Sequence, residues 1–453
     1  MSDLLSLLNL GASALSAQNS GVAVAANNVA NANTEGYSRQ RVDLEALVGP
    51  PLSGGVRSGA TTRDGSALLD GRIRDASASL GRTSTTRDAL AELEATLASG
   101  PQLTDRLASV FARMGQVAAA PTDPDQRAAA VAALGDLASA FHTTAGTIAD
   151  ARTAADQQVG TLAASATALA SQLAAANRVV ATSRDPAALD QRDRIATQLT
   201  AIVGGHGRID PDGQMRFALD DGSTLVDGAH AGTLTATPDT TTGLAKLTFV
   251  DGMLSRDVTQ SVSGGQLGGT LAARAQIVDL GTQVDQLAVD VATGFNSVST
   301  ANAGADGVSG RAAFVAPTSV AGAAAALAID PGLAADPGQL ATAAPGAGPG
   351  DNTGARALAA LADATVASGG TRTLGEAALA PATALAQRVA GAKSDAATDQ
   401  VVAAHLGDLR DSIAGVDLTE EQTNLARFSS ASQALSKFLA TINDMLSSVI
   451  ANL

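Results

Sequence analysis

Apolar positions in this chain keep their most regular spacing at its two ends. Counting alternately four and three residues from Leu4 gives Leu4, Leu8, Gly11, Leu15, Gln18, Val22, Ala25, Val29 and Ala32, seven of the nine apolar. The same count near the other end gives Leu425, Phe428, Ser432, Leu435, Leu439, Ile442, Leu446, Val449 and Leu453, where Ser432 alone is polar. Such 4-3 spacing is a coiled-coil seam. No proline precedes Pro50 or follows Pro381, so nothing in either segment breaks a helix. The pattern predicts two long terminal helices paired with each other.

Between them the period changes twice. Asn31 to Gln40, with Gly36 free to take a positive φ, ends the first helix, and short extended pieces follow around Val42, Leu44 and Val56. Helical spacing returns from Ser66 to Leu97 and from Leu103 to Val117. The turn Pro121 to Asp125, with Asp123 or Asp125 as cap, opens a proline-free stretch to Ser183 that reads as one very long helix or two nearly collinear ones. Another helix starts at Asp185-Pro186 and carries Leu189-Asp-Gln-Arg-Asp-Arg194.

From Gly204 alternating runs such as Gln214 to Leu219 and Lys246 to Val250, set between Asp-Gly turns, predict a small β unit. A helix follows to Thr300, then a Gly-, Ala- and Pro-rich excursion, helices around 355–367 and 374–414 broken at Pro381, and a last helix capped by Thr419. The expected divisions are 1–48 and 416–453 for the terminal coiled coil, 49–203 and 263–415 for a helical rod containing the excursion 304–350, and 204–262 for an inserted β domain. The fold class is mainly α with a small inserted β domain, elongated because the long central helix would exceed an ordinary domain's diameter.

Composition narrows the function. Trp is absent, Tyr occurs once and Phe eight times, so the cores are small and aliphatic, suited to packed helices rather than an enzyme pocket. A formal charge of −15 opposes nucleic acid and anionic lipid. Without cysteine there are no disulfides, thiolate zinc sites or cysteine nucleophiles. No Lys or Arg precedes Arg39 and no apolar run nears the roughly 18 residues of a membrane span, which predicts no cleaved signal and no membrane insertion.

Candidate chemistry adds nothing to this picture. Asp190, Arg192, Asp193 and Arg194 read as a helix-packing salt-bridge group, because no nucleophile accompanies them. His142, His206, His230 and His405 lack metal-ligand spacing. Asp210 to Gly213 lacks the closing Glu of a calcium loop, and the glycines of 204–207 and 264–269 read as turns. Expected catalytic residues, metal sites and cofactors are therefore none. The bland alternative to assembly is a core-helix bundle in a monomer; an alternative of another class is a secreted adhesin-like or enzyme-bearing filament subunit whose middle region binds or cuts something.

The stretch Ala26-Asn-Asn-Val-Ala-Asn-Ala-Asn-Thr-Glu-Gly-Tyr-Ser-Arg-Gln40 resembles the N-terminal signature of flagellar axial proteins. Its members Asn27, Asn28, Asn31, Gly36, Tyr37, Ser38, Arg39 and Gln40 look most like the flagellar hook-associated protein 1 family of hook-filament junction proteins. Pro121 to Arg127, Leu189 to Arg194, Gly264 to Gly269, Gly350 to Thr353 and the helix from Leu425 are similar to the same family in the same order. Glu35 stands where that family commonly has Pro, and Ser429, Ser430 and Leu435 depart from its closing helix. The resemblance implies a structural subunit, exported by the flagellar type III apparatus with a chaperone. It would form a ring between hook and filament, against hook protein and the second junction protein, and act as a platform for filament assembly. The runner-up is another axial subunit, flagellin-like or hook. The seam residues Leu4, Leu8, Leu15, Val22, Val29, Leu425, Phe428, Leu435, Leu439, Ile442, Leu446 and Val449 then become assembly residues.

Overall fold

The computed structural model describes residues 2–47 and 54–451. Pro50, Pro51, the expected boundary at 48 and the seam position Leu453 lie outside them. Helix α1 (Ser2–Asn31) leads into a hairpin of β1 (Gln40–Leu47) and β2 (Gly55–Arg63). The antiparallel register runs from Gln40 opposite Arg63 to Leu47 opposite Gly55. The expected boundary between 48 and 49 therefore divides one paired hairpin, and the short extended pieces of the sequence are partners.

Helices α2 (Ala67–Ser99), α3 (Leu103–Ala119), α4 (Pro124–Ser183) and α5 (Pro186–Val203) follow. Ser66, Asp123 and Asp185 cap α2, α4 and α5 through their side chains, which satisfies amides the helix cannot bond itself. At 60 residues α4 is a single helix of about 90 Å. It is shared by two cores. Its first half supplies Leu134, Leu137 and Phe141 to a core with α3, the later part of α6 (Gly265–Ala301) and α10 (Leu374–Ala414). Its second half supplies Val159, Ala166 and Leu173 to a core with α5 and the sheets. Among the described residues α4 is also the one helix long and apolar enough to cross a membrane, at mean hydropathy 1.3 in its most apolar window. That corrects the expectation that no segment nears this limit. Its alanines raise hydropathy, and 44% of that window is buried against protein.

The β unit comprises two antiparallel sheets. One has the order β3 (His206–Ile209), β4 (Met215–Ala218), β5 (Thr224–Asp227) and β6 (His230–Ala231); the other β7 (Thr233–Pro238), β8 (Ala245–Asp251) and β9 (Leu254–Asp257). Alternation buries Met215, Phe217, Leu225, Leu247 and Phe249 against α4 and α5.

Gly264 to Gly269 are not a turn but the start of α6. A Cβ on Gly269 would stand 2.4 Å from the Arg82 carbonyl oxygen, and one on Gly265, at φ +64°, 2.5 Å from that of Ile202. Only glycine lets α6 approach α2 and α5 so closely. The excursion 304–350 is likewise ordered, with α7 (Ala323–Ala326), α8 (Pro331–Ala335) and buried Phe314, Leu327, Leu333 and Leu340. Besides its own turns, helix side chains hold several of its backbone groups. Asn296 accepts from the amides of Ala313 and Phe314 and donates to the Phe314 carbonyl. Buried Arg127 donates to Leu340 O and Thr342 Oγ1, and burial lowers its pKa. A segment held this way has no period of its own, which is why its sequence looks loose. Asn296→Ala is expected to cost about 1–3 kcal/mol and to speed amide exchange at Ala313 and Phe314; unchanged exchange there would refute the role given to this side chain.

Three further expectations are corrected. After α9 (Thr353–Ala360) the chain reaches 367 through turns rather than helix, because Ala367 pairs with Arg372 across a tight reversal. Helix α10 runs through Pro381, which is buried about two turns from its start. Asp417, not Thr419, caps α11 (Leu418–Ala451), accepting from the amides of Thr419 and Glu420.

Candidate assembly interface

Helices α1 and α11 pack along each other with antiparallel register. A Cβ on Gly11 would stand 2.7 Å from Leu439 Cδ2, one on Gly21 2.8 Å from the Phe428 ring, and Ser432 donates to Asn19 between them at 2.8 Å. The large seam side chains of α11 thus sit on glycine. The fully buried positions of α1 are small or polar, namely Gly11, Ala17, Gly21, Ala25 and Asn28. The predicted Leu4, Leu8, Leu15, Val22 and Val29 are half-buried beside them. On α11, Ile442 is buried while Leu425, Phe428, Leu435, Leu439 and Leu446 are half-buried. Val449 is exposed. It lies near the end of α11, where the antiparallel register leaves only the start of α1 beside it.

The sequence missed Ala17 and Gly21 because a 4-3 count looks for large residues, whereas a close helix crossing is made by small ones. Neither of the two cores contains a residue of α1 or α11. The terminal pair is therefore stabilised by its own contact, by the packing of α1 on the β1–β2 hairpin and by the joint at its base.

That joint is where the signature residues meet. Asn28, fully buried, donates to Gln40 O and accepts from both the Gln40 amide and the Tyr37 hydroxyl, so one side chain stitches the end of α1 to the start of β1. Asn31 donates back to Asn27, whose own amide reaches Gln40 Oε1 at 3.4 Å. Gly36 turns the chain at φ +74°, a conformation that disfavours any side chain, with Arg194 Nε 3.2 Å from where a Cβ would stand. The Ser38 amide donates to Asp190, and Arg39 ion-pairs with Glu420 and with buried Glu421 at the head of α11. From β2, Arg63 bridges Asp190 at 2.6 Å and Asp193. From α10, Arg410 donates to the carbonyls of Gly36 and Tyr37 and to the Ser38 hydroxyl.

Signature and charged motif, far apart in sequence, thus form one network. The sequence marked Asp190 and Asp193 as packing charges but named neither Arg63 nor Arg410 as partner.

Between joint and rod lies an open cleft of about 1040 Å³, lined by seven carboxylates and five arginines. Most of these charges are spent on one another. The exceptional group is Asp70, whose pKa is raised by burial and by the charge of Asp193, against the pull of Arg63, Arg410 and Arg74. Burial would lower the pKa of Arg39 and of Arg63, but their carboxylate partners outweigh it and raise both. Among the described residues no group of three or more His, Cys, Asp or Glu is placed to hold a metal ion. The cleft offers paired charges.

Tyr37 is the chain's one tyrosine, so it reports on the joint alone. Burial, then the charges of Asp190 and Glu421, push its pKa from 10.0 up to about 12. A raised acid holds its proton longer when folded, so its contribution is complete below pH 10 and lost as pH rises toward about 12. Titrating the tyrosinate absorbance is expected to give a midpoint near 12 in the native protein and near 10 in denaturant; coincident midpoints would contradict the buried placement.

Comparison with known proteins agrees with this architecture. Residues 90–314 match the family of the flagellar hook-associated protein FlgK helical domain, and residues 8–37 that of the flagella basal body rod protein. The chain is 27% identical over 327 residues to flagellar hook-associated protein 1 of Salmonella typhimurium, covering 68% of this chain and 59% of the relative. It is 26% identical over 330 residues to the protein of that name from Bacillus subtilis, covering 63% and 65%. The matched region thus spans about three fifths of the length of these relatives. The fold is similar to that of the flagellar hook junction protein FlgK from Burkholderia pseudomallei, with a TM-score of 0.69 at 15% identity, over 77% of this chain and 100% of that one.

Proposed function

We propose that this chain is a member of the flagellar hook-associated protein 1 family and a structural subunit of the bacterial flagellum that forms the junction between hook and filament. The observation that carries the proposal is the terminal helix pair. Both helices hold apolar faces that the rest of the chain does not cover, and neither belongs to a core. Burying a leucine contributes roughly 1.5–3 kcal/mol only where something covers it, and neighbouring copies would do so. In this reading the seam residues act in assembly and the signature residues set how the pair leaves the rod.

The same reading supplies partners. They are a ring of like subunits, hook protein on one side, the second junction protein on the other, and a chaperone and the flagellar type III apparatus during export. The place of work is the extracellular flagellum, reached without a cleaved signal, and no catalysis is required. Gly-rich packing, Asn and Ser weaken α1 as an isolated helix, so the terminal pair gains its full order on assembly.

Deleting the gene is the direct test. The expected result is cells with hooks but no filaments and flagellin lost to the medium. Normal filaments on the deletion strain would refute the proposal.

A further inference from the structure

The hairpin of β8 and β9 ends in an apolar tip. Asp251 pairs with Leu254 across a two-residue turn in which Gly252, at φ +58°, comes first and Met253 second. Such turns are ordinarily polar, yet Met253 is 104% exposed, as open as a side chain in an extended peptide, and Leu254 is 57% exposed.

A hole of matching size lies in the other core. Between the facing ends of α2 and α3, the middle of α4, α6 and the start of α10 is a cavity of about 280 Å³, lined by Leu97, Ile148, Val284 and Leu385 and by Leu379, which is 55% exposed. That is below the roughly 300–1,000 Å³ of small-molecule sites and suits one or two apolar side chains. Leu379 also borders an open shelf carrying Arg372, which makes no ion pair or side-chain hydrogen bond among the described residues.

The tip does not serve the hole of its own chain. Strand β8 begins beside α4, where the Ala245 amide donates to Asp156, and its Phe249 pairs with Leu234, whose amide donates to Thr167. The strand therefore runs along α4 away from Ile148, and roughly 30 Å of helix already separates Thr167 from that residue.

Resting on the assembly reading above, we propose that the tip formed by Met253 and Leu254 in one copy of this chain plugs into the hole between α2, α3 and α10 of another copy. Charge favours this occupant: Asp251 Oδ1 is held by exposed His230 at 2.7 Å, which leaves Oδ2 beside Met253 for the unpaired Arg372 beside Leu379. Knob and hole are different surfaces, so the contact is heterologous, the type that repeats around a ring or along a helix rather than closing a dimer. It joins the β unit of one copy to the rod of the next and involves neither terminal helix.

The full-length chain contains no cysteine, so introduced pairs are unambiguous. Chains carrying Met253→Cys, co-expressed with chains carrying Leu379→Cys, are expected to give disulfide-linked pairs in assembled junctions. Thr241→Cys, exposed in the turn at the other end of β8, should give none with Leu379→Cys. Asp251→Arg or Arg372→Glu should lower the yield of linked pairs roughly threefold, and the two together should restore it. None of these side chains belongs to a core, so melting should not move. Filaments lost in a single variant that melts like the parent would support the contact. Links between two Met253→Cys chains, or no link between positions 253 and 379 in cells that bear filaments, would overturn this docking mode and leave the assembly reading standing. Normal filaments on the deletion strain would overturn both.

Discussion

Leu439→Asp is expected to abolish filament growth while leaving the melting of the two cores unchanged. Leu439 lies on Gly11 at a distance that admits no Cβ there, so a carboxylate in its place is forced against the α1 backbone with no counter-charge. The helices separate instead, exposing the seam that neighbouring copies would use. Because α1 and α11 contribute nothing to either core, the cost stays in the terminal pair. Leu15→Asp, on the facing helix, should give the same phenotype. Calorimetry of the free variants together with filament counts on complemented cells separates the outcomes. A variant that melts like the parent and supports normal filaments would contradict the assembly role of the seam.

The second large effect is at the joint. Asp190, 3% exposed, accepts from the Ser38 amide at 3.0 Å and from Arg63 at 2.6 Å. Asp190→Ala leaves a buried amide unpaired and Arg63 with Asp193 alone, which is expected to cost about 3 kcal/mol, the lower end of the range for breaking a buried pair because one carboxylate remains. Asp190→Asn keeps an acceptor for Ser38 and should cost only about 1–2 kcal/mol. Denaturation followed by the emission of Tyr37, the chain's single tyrosine in the absence of tryptophan, reads this joint directly. Equal stabilities of the two variants would show that the hydrogen bond to Ser38 carries no weight.

How much of this was legible beforehand follows from the nature of each signal. Local and periodic features could be read: the terminal helices, the 60-residue α4 with its Asp123 cap, the β unit between Asp-Gly turns and the left-handed Gly36. The excursion 304–350 could not, because its order comes from Asn296, Asp285 and Arg127 on distant helices. Nor could the role of Gly264 to Gly269, since a turn and a close helix crossing ask for the same residue and only the neighbouring carbonyls distinguish them.

The sequence by itself determined that the two ends are helices with matching apolar lines, because a 3.6-residue period is a property of the chain alone. It also determined that no cysteine chemistry takes part and that Asn27 to Gln40 form a distinctive stop. Only the tertiary structure decided which faces meet. It set Phe428 on Gly21 and Leu439 with the edge of Phe438 on Gly11, left Met445 and Val449 exposed, and joined Ser38 and Arg39 to partners some 150 and 380 residues away. The physical reason is that period fixes the direction of a side chain around its own helix, whereas packing depth depends on the neighbour's shape, and charge pairing across such distances exists only once the chain has returned on itself.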